Sequence, residues 1–206
     1  MENQVHIQAH DHYDHEGSKL GMWLFIFTEF LLFGGLFITY AVYKYMNPVA
    51  FHMAAEELSV TVGAINTVIL LVSSATIAMS ISAMQYNDVK LTKRLLLATI
   101  LLAIVFLVNK YFEWGAKISH GIYPGSEQLM EVSRGELLFY GLYFFMTGLH
   151  ALHIIIGVVF IAVVYFKVAN GTVHAERYVL LENSGLYWHL VDAIWIFLFP
   201  LFYLIT

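Results

Sequence analysis

Residues 135–167 read GELLFYGLYFFMTGLHALHIIIGVVFIAVVYFK, an apolar run whose charged side chains, Glu136 and Lys167, stand at its two ends. A helix needs about 20 such residues to cross roughly 30 Å of hydrocarbon, and this run exceeds that length. Its apolar residues are continuous rather than alternating, which excludes a strand of a membrane β-barrel. Four more runs share the pattern, at 20–45, 60–86, 93–119 and 179–205. Short links join them and carry turn residues: Asn47-Pro48, Asn87-Asp88, Tyr123-Pro124-Gly125 and Asn170-Gly171. The chain therefore reads as all-α, a polytopic bundle of five transmembrane helices forming one domain over 20–206, after a polar, His-rich tail at 1–19.

Composition agrees. Of 206 residues, 60% are hydrophobic and 12% charged, and the mean hydropathy is +0.72. A soluble domain is about half apolar and about a quarter charged. The net charge of −5 comes mostly from loops and tail, leaving no footprint for nucleic acid. Cysteine is absent, which removes disulfides, thiolate metal sites, covalent c-type haem and a cysteine nucleophile. The tail carries His6, His10, His12 and His15; a solvated segment is the plain reading and capture of a stray metal the sharper one. It lacks the basic start of a secretory signal, so the first apolar run is expected to remain a span.

Loop charges orient the bundle. The side shared by the tail and the second and fourth links holds Lys19, Lys90, Lys93, Arg94, Lys167 and Arg177. The other holds Lys44, Lys117 and Arg134 among Glu56, Glu57, Glu127, Glu131 and Glu136. This asymmetry predicts a cytoplasmic N-terminus and an external C-terminus.

Ionisable side chains inside spans are costly and usually face the bundle interior with a partner. The first span carries Glu29 beside Thr28, with Gly34-Gly35 beyond. Glu29 serves either as a hydrogen-bonded structural acid or as a proton-exchanging group. In the second span Asn66, Ser73 and Ser80 recur every seven residues, a polar stripe suited to close helix packing. Lys110 and Glu113 in the third span are three apart and can pair on one face, near the outer interface. The fourth span has His150, His153 and Gly157; the fifth has Glu182, His189 and Asp192 on one face. His150 or His153 opposite His189 could ligate a haem, but three residues apart on a helix leaves about 60° between the first two. Interhelical hydrogen bonding, with Glu182 or Asp192 among the partners, is the plainer use.

The motifs then become specific. Tyr187-Trp188-His189-Leu190-Val191-Asp192 and Trp195, with Glu182 upstream, resemble the terminal helix of subunit III of haem–copper oxidases. Gly148-Leu149-His150-Ala151-Leu152-His153 with Gly157 resembles that family's Gly-x-His-x-x-His-x-x-x-Gly. In the second span Asn66-Thr67 followed by Ser73-Ser74 and Thr76 resembles the family's Asn-Thr…Ser-Ser-x-Thr segment, and in the third Phe112-Glu113-Trp114 sits where the family has an acidic residue followed by an aromatic. Gly21-Met22-Trp23 through Thr28-Glu29 and Phe33 resemble the helix bearing the family's carbodiimide-reactive glutamate.

The resemblance covers every span and implies a cytochrome c oxidase subunit 3 of the five-helix bacterial form, in the bacterial cell (inner) membrane. Many members have seven helices, and this chain starts at what would be their third, so the lipid-holding cleft formed with the first two should be absent or altered. The implied function is that of a chain without a redox centre, packing on subunit I beside subunit II. There it supports proton uptake and stability during O2 reduction in aerobic electron transport. Haem and copper would sit in partner subunits and none on this chain; membrane lipids, including a bound phospholipid, are compatible partners. A catalytic haem–copper core needs six intramembrane histidines, whereas His150, His153 and His189 are the three placed clearly within spans here. A quinol oxidase subunit III and an accessory five-helix subunit of a nitric-oxide reductase are the alternatives within this architecture. A membrane haem-binding electron-transfer protein and a small transporter are alternatives outside it. Glu29 and the Tyr-Trp-His-x-x-Asp motif lean toward the cytochrome c branch.

Overall fold

The computed structural model describes residues 15–126, 129 and 133–204. Six α-helices are named among them: α1 (His15–Met46), α2 (Pro48–Glu56), α3 (Val60–Gln85), α4 (Val89–Ser119), α5 (Arg134–Ala169) and α6 (Val179–Phe199). A π-helical turn, Pro200–Leu204, continues α6. All except α2 are long and apolar enough to cross a membrane, as the five runs predict. Helix α1 begins at His15, ahead of the run at 20–45. Tail residues 1–14, with His6, His10 and His12, lie outside the described residues, as do Glu127, Glu131 and Ile205. The short helix α2 occupies a stretch read from sequence as a link. Pro48 opens it, where a missing N–H leaves no bond unmade, and it buries Phe51, Ala54 and Ala55.

Helix starts are fixed by side chains that accept N–H groups which a first turn leaves unpaired. Ser59 Oγ accepts from Val62 at 3.4 Å, Asp88 Oδ1 from Leu91 at 2.9 Å, and Ser133 Oγ from Glu136 at 3.3 Å. Between α3 and α4 the chain reverses through Asn87 at φ 60°, a left-handed conformation that asparagine tolerates better than most residues.

Helices α3 and α4 pack as an antiparallel hairpin, and α6 lies against α1, α3 and α5. Helix α6 is thus the central element: 56% of its apolar stretch is buried inside the bundle, against 11% for α1. Trp188 and Trp195 of α6 are wholly enclosed. Outward, α1 presents Trp23, Phe27, Phe30 and Leu31, an apolar exterior suited to hydrocarbon. Lipid tails are as apolar as leucine, so close packing rather than water exclusion drives such helices together. Gly157 of α5 shows this directly, because a Cβ there would stand 2.8 Å from Trp188 Cζ3. Gly157→Ala is expected to destabilise the bundle by about 1–3 kcal/mol through overpacking. A lowered unfolding midpoint in mixed detergent is the readout, and an unchanged midpoint would show that the indole has room to yield.

Candidate functional site

Glu29 sits midway along α1, where a carboxyl in hydrocarbon needs a partner. Helix α5 supplies it. His153 Nε2 lies 3.0 Å from Glu29 Oε2, and the two side chains are 10% and 13% exposed. The other ring nitrogen, Nδ1, is 2.8 Å from the carbonyl oxygen of Leu149. A carbonyl only accepts, so Nδ1 carries a proton. A second proton, between Nε2 and Oε2, is what makes their 3.0 Å contact a hydrogen bond. Either the carboxyl donates it to the ring, or the imidazolium donates it to the carboxylate. Both forms have the same net charge, so the pair can hold a proton on either side of one hydrogen bond without changing its total charge. The Phe33 ring meets His153 edge-on at 5.4 Å, and Tyr187 Oη donates to the His153 carbonyl at 3.0 Å. An apolar crevice of about 170 Å³, lined by Phe33, Gly34 and Ile194 among others, opens one turn along α1.

Helix α3 provides a polar spine. Its Asn66, Ser73 and Ser80 are fully buried, as the seven-residue stripe predicts. Three rings of α6 dock on this spine: Trp195 Nε1 donates to Thr67 at 3.0 Å, Trp188 Nε1 to Ser73 at 2.9 Å, and His189 Nδ1 shares a 2.7 Å bond with Ser74. On the other side, α4 joins through Asn109 Nδ2 to Asn66 Oδ1 at 2.9 Å and through Thr99 to Thr76 at 2.8 Å.

A second cluster forms where α4, α5 and the π-helical turn meet. Lys110 Nζ donates to Glu113 Oε2 at 3.2 Å, Tyr143 Oη at 3.2 Å and Tyr203 Oη at 2.9 Å. Both tyrosine hydroxyls then donate to Glu113 Oε1, Tyr143 at 2.5 Å. Each of the three ammonium donors thereby has an acceptor, and the cation and anion cancel within one hydrogen-bonded ring. Trp195 lies 5.2 Å from Nζ and adds a cation–π contact. The π turn follows Pro200, which cannot donate a helical N–H, and Tyr40 Oη holds it by donating to the Leu201 carbonyl at 2.7 Å. Lys110 and Glu113 side chains are 3% and 8% exposed, so the pair is enclosed within the bundle.

The structure thus separates the residues singled out in the sequence. It unites Glu29 with His153 and Lys110 with Glu113, and gives Asn66 a partner in Asn109. It does not place Glu182 or Asp192 against a histidine. Glu182 instead pairs with Lys19 at 2.8 Å, between the first turns of α6 and α1, because it lies near the start of α6, away from the His153 level. Asp192, 3% exposed, lies by Ser74, whose hydroxyl meets His189. His150 stacks on Trp195 at 5.3 Å and meets the Phe106 ring edge-on. The three histidines face three different neighbours, and among the described residues no three histidine or acidic side chains converge on one point. Tyr143 and Tyr203 were missed. Their one signal in the sequence is a phenol inside an apolar span, where a buried hydroxyl needs a partner.

Comparison with known proteins gives a consistent picture. The family described as Cytochrome c oxidase subunit III matches residues 1–206. A protein named probable quinol oxidase subunit 3, from Staphylococcus haemolyticus, is 31% identical over 195 residues, covering 93% of this chain and 91% of the relative. One named cytochrome c oxidase subunit 3, from Thermostichus vulcanus, is 31% identical over 199 residues, covering 96% and 91%. One named heme-copper oxidase subunit I+III, from Aeropyrum pernix, is 31% identical over 195 residues, covering 91% of this chain and 22% of that longer protein.

Proposed function

Because this chain belongs to the cytochrome c oxidase subunit III family, and so is a subunit III of a haem–copper oxidase in a respiratory chain, we propose that it packs on subunit I as a scaffold without a redox centre. Its proton-related site is the Glu29–His153 pair. Fusion of both subunits in the Aeropyrum pernix relative supports packing on subunit I. Haem and copper belong to the partner subunits, and loop charges favour a cytoplasmic N-terminus in a bacterial inner membrane.

The observation carrying the proton reading is the 3.0 Å approach of Glu29 Oε2 to His153 Nε2 across two helices. Such a pair can take up and return a proton beside the catalytic subunit during turnover, which fits a chain that supports proton uptake without reducing oxygen itself. An apolar crevice lies one turn along α1 from the carboxyl, on the lipid-facing side from which an apolar carbodiimide would approach. Glu29→Gln is expected to abolish carbodiimide incorporation into this chain and to shorten the number of turnovers before the oxidase inactivates, with initial turnover retained. Unchanged labelling and unchanged inactivation would defeat the assignment.

Quinol is the second reading for the electron donor. Relatives named for quinol and for cytochrome c are equally similar to this chain, at 31%. Donor choice accordingly resides in the partner subunits. Sequencing the subunit II that co-purifies with this chain, for the cysteines of a binuclear copper site, decides between the two.

A further inference from the structure

A groove of about 500 Å³ runs between the first turns of α3 and the last turns of α4, and a second hollow of about 340 Å³ carries it past Lys117 to His120. Neither touches the Glu29–His153 pair. Its outer lip is charged, with Glu57 on one side and Lys117 on the other; its inner wall is formed by Val62, Ile65 and Phe112. Helix α4 has 31 residues and is about 46 Å long. A hydrocarbon slab of about 30 Å centred on it leaves about 8 Å of helix beyond each face. Lys117, His120 and Glu57 then lie at headgroup level, and Ile65 and Phe112 lie within the hydrocarbon edge. The groove therefore crosses the boundary between headgroups and acyl chains.

Its charges discriminate between ligands. Lys117 Nζ donates at 3.4 Å to the Glu57 backbone carbonyl and sits over the Tyr140 ring at 5.5 Å. An ammonium has three donors, so it retains capacity for a phosphate. The exposed Glu57 accepts from Tyr140 Oη through one carboxylate oxygen, Oε2. Cation and anion thus stand side by side across the lip, with Glu113 adding a second carboxylate to the wall. A zwitterionic headgroup matches that pattern, whereas an anionic one would meet the Glu57 carboxylate with no ammonium to offer it.

We infer that this groove holds one phospholipid with an amine-bearing zwitterionic headgroup. Its phosphate meets Lys117, its ammonium meets Glu57, and an acyl chain lies along Ile65 and Phe112. The inference rests on the bundle's seating in a bilayer, not on the proton role of Glu29.

The test uses the oxidase complex purified through this chain, exchanged into vesicles of equal phosphatidylethanolamine and phosphatidylglycerol, washed in detergent and weighed by native mass spectrometry. Wild type is expected to retain one phosphatidylethanolamine at this site in preference to phosphatidylglycerol. Lys117→Glu is expected to lower that retention by at least about tenfold, the weight of one lost charge-assisted contact. Glu57→Gln is expected to erase the preference for the amine, and Val62→Trp to block the groove without altering charge. Unfolding midpoints equal to wild type show that these variants fold; a variant that does not fold is replaced by Ile65→Trp. Equal retention of both lipids by wild type, or wild-type retention in both Lys117→Glu and Val62→Trp, overturns the inference. So does a photo-crosslinker at position 112 that joins a protein subunit instead of lipid.

Discussion

Lys110→Met is expected to destabilise the folded bundle by about 3–5 kcal/mol, the cost of leaving a buried charge without its partner. Glu113 would keep its two tyrosine donors but lose the ammonium at 3.2 Å, with 8% of its side chain exposed to find a substitute. Tyr143 and Tyr203 would also lose the donor that each hydroxyl accepts. The double variant Lys110→Met with Glu113→Leu is expected to recover most of that loss, because removing both charges leaves no ion unpaired. Unfolding free energies of the two variants and wild type in mixed detergent provide the check. Should the double variant be as unstable as the single one, the cluster is held by shape and tyrosine hydrogen bonding and the ion pair is incidental.

Trp188→Ala carries the second large effect, about 3–5 kcal/mol for truncating a fully enclosed ring. Its origin differs. The indole fills the space Gly157 leaves and donates to Ser73 at 2.9 Å. A single interhelical hydrogen bond inside a membrane protein averages about 0.6 kcal/mol, so most of the loss comes from packing. Ser73→Ala, which removes the acceptor and keeps the ring, is therefore expected to cost about 1 kcal/mol or less. The comparison of these two variants in one titration separates shape from hydrogen bonding. Equal losses would assign the energy to the Trp188–Ser73 bond and contradict the packing account.

The spans were legible because uninterrupted apolar runs have few folded solutions in lipid, and the Asn66–Ser73–Ser80 stripe because a seven-residue repeat keeps one helix face. The partner of Lys110 three residues away was legible for the same reason. Partners across helices were not. His153 pairs with a carboxyl 124 positions earlier, and no spacing within one helix encodes that rotation and height. Glu182 and Asp192 share a face with His189 in the sequence, yet His189 turns to Ser74, because neighbours on one helix face run along the helix while bonding partners lie across the seam. Helix α2 escaped notice because nine residues are too few for a span and its composition resembles the apolar runs beside it. Tyr203 reaches Lys110 only through the widened turn after Pro200, a local geometry that proline suggests without specifying.

Helix α1 touches the bundle through polar groups at Ser18, Glu29 and Tyr40, each partnered by α5, α6 or the turn beyond α6. These positions fall every eleven residues, an interval that brings a helix back nearly to the same heading and shifts it by about 20° per repeat. The helix is fastened like a batten at three rivets about 16 Å apart. Removing the middle rivet does not free either end, and Ile26 and Phe33, buried on either side of it, still clamp the midpoint of the batten by packing alone.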